Sequence, residues 1–213
     1  MFACLLDAEG TARGTQLRAL SAQCGEALAR KAEVLAPLIA SLDRAYRLPL
    51  VALALPVLRK EIDDAARARF LAALRTVIQA DSRVTLSEFV LETILEAHLG
   101  PAAKRAGKVR YQARGEVAAE WALVLSLLVH AGGNAPAAAR QTFRLEQVSG
   151  ALAKLRELAP GEKAALVAAC AEVSMADGEV KLAEHELLRA VCSALDCPMP
   201  PAMAALDARL LRK

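Results

Sequence analysis

The sequence predicts an all-α protein, an orthogonal and irregular bundle of about eight to ten helices with two helix–loop–helix corners. Three observations carry that reading. Apolar residues fill 55% of the 213 positions but aromatics only 3%. Alanine and leucine dominate, and such side chains lose little rotamer freedom in a helix. Apolar positions also recur at three- and four-residue spacing along nearly the whole chain, and no segment reads convincingly as a strand.

A first helical segment covers roughly residues 15–42, with a break expected near Gly25 or Pro37. Pro49 suits the first turn of a helix reaching about Arg59, and Pro56 inside it implies a kink or a restart. Asp63 is placed to cap a helix over about residues 64–80, and a second helix follows over about residues 86–99. Gly100-Pro101 stops it. Residues 102–115 read as a loop carrying Lys104, Arg105, Lys108, Arg110 and Arg114. This basic connector divides the chain into halves, 1–101 and 116–213, expected to pack as one compact unit. Helices follow over about residues 116–131, 136–158, 161–176 and 182–195, with a short tail helix near residues 202–211. Gly132-Gly133-Asn134 has neither the spacing nor the strand context of a phosphate loop and reads as a turn.

Several function classes are disfavoured. A net charge of +3 with two Tyr, four Phe and one Trp gives little field and few stacking platforms for nucleic acid. The cysteines, Cys4, Cys24, Cys170, Cys192 and Cys197, are odd in number and form no C-x-x-C. They read as reduced, buried thiols in a cytoplasmic setting. Residues 1–6 are too short and lack the basic region of a signal peptide. No apolar run reaches the ~20 residues of a membrane span, so the chain reads as soluble.

The most informative feature is an internal repeat. Residues 80–88, ADSRVTLSE, and residues 176–184, ADGEVKLAE, share A-D-x-x-V-x-L-x-E. Each copy joins two amphipathic helices. Extending the helical stripe of Leu74, Val77 and Ile78 reaches Asp81, and that of Leu166, Cys170 and Val173 reaches Asp177. Glu88 falls on the stripe of Leu91 and Leu95, and Glu184 on that of Leu188, Val191 and Leu195. Asp and Glu are thus both expected to face the seam between the helices. Carboxylates there need compensation.

Three compensations compete. The first is structural: Asp accepts N–H bonds in a turn, Thr85-x-x-Glu88 is a capping box, and Gly178 suits a left-handed residue after a helix. The second is a divalent cation, calcium or magnesium. Asp177 and Glu184, with Glu179 as a further ligand, make the better site, and Asp81 and Glu88 a weaker one beside Arg83. Calcium takes about six to eight oxygens, so backbone and water would supply the rest. The third is a salt bridge to arginine.

No catalytic constellation is complete. His185-Glu186-Leu187-Leu188-Arg189 begins like the zinc-protease H-E-x-x-H, but Arg189 stands where the second ligand belongs. His185 therefore reads as a surface residue. There is no G-x-S-x-G, and nothing local activates a thiol.

Two resemblances add to this. Cys4-Leu5-Leu6-Asp7 with Gln16-Leu17, Arg47-Leu48-Pro49-Leu50, Ala54-Leu55-Pro56, Arg69-Phe70, Ile78-Gln79-Ala80-Asp81 with Glu88-Phe89, and Val109-Arg110-Tyr111 resemble a known region. It is the C-terminal region of bacterial membrane-bound zinc metallopeptidases related to HtpX and the CAAX prenyl proteases. The resemblance implies a non-catalytic accessory or regulatory domain on the cytoplasmic side of an inner membrane, with zinc only in a catalytic domain N-terminal to Met1. Its partner would be that catalytic domain or another protein, and Lys104, Arg105, Lys108 and Arg110 could meet an anionic membrane surface. The corner Ala176-Asp177-Gly178-Glu179 with Glu184 resembles the helical tellurite-resistance TerB domain, whose acidic residues have been suggested to bind metal. That implies a TerB-like C-terminal half and, as an alternative function, a divalent-cation sensor. Asp177 and Glu184 match, Asp81 and Glu88 more weakly.

Overall fold

The computed structural model describes residues 1–7, 10–81, 84–104, 108–133 and 144–210. Among them the fold is all-α, as the composition dictates. The only bridge outside the helices among these residues is an isolated parallel one between Tyr111 and Leu158. The chain divides into two compact units, Met1–Gly100 and Pro101–Lys213.

The first unit opens with a 3-10 turn, Phe2–Cys4, followed by α1 (Thr11–Cys24) and α2 (Glu26–Ser41). A 3-10 turn (Arg44–Tyr46) leads into α3 (Arg47–Glu61) and then α4 (Asp64–Ile78). After a 3-10 turn at Gln79–Asp81 comes α5 (Leu86–Leu99). Of the two expected break points, Gly25 is the one used. Its φ of 87° lies in the left-handed region that glycine adopts without strain. Pro37 sits inside α2, and Pro56 inside α3 without a restart. Both prolines are exposed, so a carbonyl freed of its helical donor is not sealed from other partners. In α2 the freed carbonyl is that of Glu33, and Arg13 Nη2 donates to it at 3.3 Å.

Asp63 caps α4 as its position predicts, accepting the Ala66 N–H at 2.7 Å. The expected stripe of Leu74, Val77 and Ile78 is buried, as are Leu91 and Leu95 of α5, and α4 and α5 pack together. Arg75 joins α4 to α5 through Glu92 at 3.3 Å and through Glu96. Gly100 ends α5, but its φ is −69° rather than left-handed. Its role is room: an added Cβ would lie 2.7 Å from Glu96 Oε2.

In the second unit, 3-10 turns at Pro101–Lys104 and Arg114–Val117 precede α6 (Ala118–Ala131). Then come α7 (Leu145–Leu155), α8 (Pro160–Met175), α9 (Leu182–Leu195) and α10 (Pro201–Leu210). α6 packs against α7, α8 and α9. The helix expected over residues 136–158 is described from Leu145 to Leu155, and residues 134–143 lie outside the described residues. The basic stretch is tied down at its end. The Arg110 and Tyr111 N–H groups donate to the Glu157 carbonyl at 2.7 and 3.2 Å, and the Ala159 N–H donates to Tyr111 O at 2.9 Å. Arg105 and the side chain of Lys104 lie outside the described residues.

All five cysteines are free. Burial pushes the thiols of Cys170 and Cys192 up to about 12, so they pack as small apolar groups and are poor nucleophiles.

Candidate functional site

The first corner is closed by its own residues. Thr85 Oγ1 accepts the Glu88 N–H at 3.2 Å. Glu88 Oε2 in return accepts the Thr85 N–H and the Thr85 hydroxyl, each at 2.8 Å. This is the capping box that the spacing predicts. Glu88 is 7% exposed, so its carboxylate leaves water but loses no partner. Asp81 closes the preceding 3-10 turn, while its side chain, Ser82 and Arg83 lie outside the described residues.

The second corner is built differently. α8 ends at Met175, and Gly178 takes the expected left-handed conformation with φ 81°. Asp177 is exposed, which corrects the expectation that it faces the seam. The stripe cannot be extended to it because the helix has already stopped and the 3.6-residue period no longer governs its direction. Instead its Oδ1 accepts the Glu179 N–H at 3.1 Å, an Asx turn. Glu179 is exposed as well.

Glu184 does face inward, at 1% exposure. Its Oε2 accepts the Lys181 N–H at 3.0 Å. Lys181 stands where the first copy has Thr85, and a lysine side chain has no acceptor to return the bond. Its ammonium donates instead to the carbonyl of Gly132, at the end of α6. Gly132 is also the floor under Glu184: a Cβ there would lie 2.7 Å from Glu184 Cδ. The Gly132-Gly133 turn is therefore part of the site. Burial raises the Glu184 carboxyl above its ordinary value. The Lys181 N–H bond opposes that, the Asp177 charge adds to it, and the Lys181 charge opposes it again.

The structure thus brings Asp177 and Glu184 within electrostatic reach. Among the described residues no group of three or more His, Cys, Asp or Glu side chains is arranged to hold a metal ion. Sequence reasoning missed Lys181 and Gly132. The signal for Lys181 was present, in the replacement of Thr85 at the equivalent position of the repeat.

His185 is not a surface residue. It is 3% exposed, and its Nε2 lies 3.1 Å from the Met203 carbonyl of α10. α10 covers this face of α9, and periodicity within α9 could not reveal that. The repeat could have: Phe89 is the equivalent residue after the first corner's glutamate, and it is buried too.

The profile of the family described as Tellurite resistance protein TerB matches residues 67–202. That span exceeds half of the chain and contains both corners. The chain belongs to the TerB family. The match begins within α4, so a TerB region is not confined to the C-terminal half. TerB proteins are associated with tellurite resistance and with divalent cations. No curated protein and no solved structure matches this TerB chain. Among the described residues, no helix is long and apolar enough to cross a membrane.

Proposed function

We propose that this TerB-family chain is a non-catalytic accessory domain that acts by binding another protein. The partner implied by the sequence resemblance is the catalytic part of an HtpX-type membrane zinc metallopeptidase, on the cytoplasmic side of an inner membrane. The observation supporting it is the set of apolar side chains that α2 and α3 present to solvent. Val34, Leu35 and Leu38 are exposed on α2, and Leu50, Leu53 and Val57 on α3, with Val34 and Leu53 each 76% exposed. Between Arg47 and Arg59, α3 carries no polar side chain, so its outward face has nothing to offer water. Large exposed apolar faces mark interaction surfaces. Lys108 and Arg110 are exposed and available to anionic headgroups.

The test mixes the purified chain with such a catalytic domain and follows co-sedimentation and peptide hydrolysis. Association is expected, and Leu53→Glu with Val57→Glu should abolish it. No association, or association indifferent to the double variant, removes the reading.

A second reading is a response to a divalent cation. Its support is the buried Glu184 carboxyl, raised by desolvation beside Asp177. Calcium or magnesium would offset that charge, displacing the Lys181 ammonium and taking backbone carbonyls and water as further ligands. Calorimetric titration with calcium, magnesium and zinc, beside Asp177→Ala, decides it. Null heats for both proteins sink the idea.

A further inference from the structure

The first unit carries a partly open cavity of about 610 Å³, the scale of a small-molecule site. Arg13 of α1, Arg44 of the 3-10 turn and Arg47 at the head of α3 all line it, with Thr85 and Ser87 beside them. Two carboxylates, Asp7 and Glu88, also line it, so the cations are in excess. The Glu88 carboxylate is engaged in the capping box of α5. Arg44 Nη2 donates to Ser87 Oγ at 2.6 Å, and Arg13 Nη2 to the Glu33 carbonyl. Arg47 differs: its Nε is buried and has no hydrogen-bond partner. A buried charged donor without an acceptor is costly, and such atoms are rare in folded proteins.

We propose that this cavity binds the phosphate group of a small phosphorylated molecule, with Arg47 as the principal donor and Arg13 and Arg44 supplying further positive charge. Guanidinium forks match phosphate oxygens in geometry. A dianion answers an excess of cations, and its several oxygens can accept from more than one arginine. The volume leaves room for whatever carries the phosphate. The inference does not rest on the protein-binding reading.

The full chain is titrated by calorimetry with inorganic phosphate and with adenosine monophosphate, and in a separate arm sedimented with phosphatidic acid vesicles. Arg47→Gln is compared with Arg69→Gln, a change at an exposed residue outside the cavity, and far-UV circular dichroism verifies folding. Phosphate or the nucleotide should bind wild type and Arg69→Gln alike, and at least about tenfold more weakly Arg47→Gln, the effect of one charge-assisted bond. If only the vesicles bind, and Arg47→Gln abolishes it, the same phosphate chemistry comes from a lipid headgroup. No binding in any arm, or binding undiminished in folded Arg47→Gln, overturns the proposal. Should Arg47→Gln fail to fold, Arg47→Lys, which keeps the charge without the Nε donor, is read the same way.

Discussion

The two corners share one pattern and solve one problem in two ways. Each must hold a glutamate carboxylate at a helix start among apolar side chains. In the first corner Thr85 does so within the same turn, by a reciprocal pair of bonds with Glu88. In the second, Lys181 offers Glu184 only its backbone N–H and sends its ammonium to Gly132. The cap of the first corner is made by Thr85 and Glu88 alone, whereas Lys181 of the second reaches α6. A single exchange, Thr for Lys at the N-cap, converts a local cap into a tertiary contact.

The largest effects should come from the residues following the two glutamates. Phe89→Ala should cost the first unit about 3–5 kcal/mol and His185→Ala the second about 2–4 kcal/mol, since both empty buried volume. Trp121, the only tryptophan, is buried in α6 of the second unit. Its fluorescence in urea follows that unit, and total helicity follows both. A His185→Ala loss below about 0.5 kcal/mol, the level of a surface change, would return His185 to the surface.

Gly132→Ala comes next, at about 1–3 kcal/mol, from overpacking against Glu184. The contact predicts that this loss shrinks in a Glu184→Ala background. Equal losses in both backgrounds would mean that Gly132 matters for another reason.

Thr85→Ala should cost about 1 kcal/mol, the loss of a cap. Lys181→Met should cost a similar amount, about 1 kcal/mol, by orphaning the Gly132 carbonyl. The two differ in kind. Only Lys181→Met should be non-additive with Gly132→Ala in a double-mutant cycle.

The smallest effect is a pH dependence. Because burial raises the Glu184 carboxyl in the folded state, the folded chain binds its proton more tightly than the unfolded chain does. Its contribution is fully favourable below the ordinary carboxylate range, near about 4.3. It is lost as pH rises through the raised folded value. Glu184→Gln keeps an acceptor for Lys181 and removes the titration. Its stability relative to wild type should therefore rise over that window, in urea unfolding followed at Trp121. Parallel profiles would rule out desolvation as the dominant influence on Glu184.

Much of the fold was legible because helix signals are local. Asp63, Thr85 with Glu88, and Gly178 each act on a backbone within a few residues, and each does what its position predicts. The boundaries of α5 and α9 follow directly from apolar period and caps. Pro37 and Pro56 end no helix, because a proline's cost depends on whether the freed carbonyl finds another partner, which its own segment does not decide. The candidate site was half legible. Glu88 and Glu184 face inward because each continues the stripe of its own helix. Asp177 does not, because it lies past the end of one.

The sequence by itself determined the helices, their caps and the kinship of the two corners, since these rest on short-range sterics and on hydrogen bonds within one or two turns. Only the tertiary structure decided what surrounds those corners. Lys181 meets Gly132 across the 49 residues that separate them, and α10 folds back to bury His185. Arginines from α1, a 3-10 turn and α3 line one cavity. Contacts between residues far apart in the chain leave no period to read, because the entropy of closing the loops between them is overcome by packing that no single segment contains.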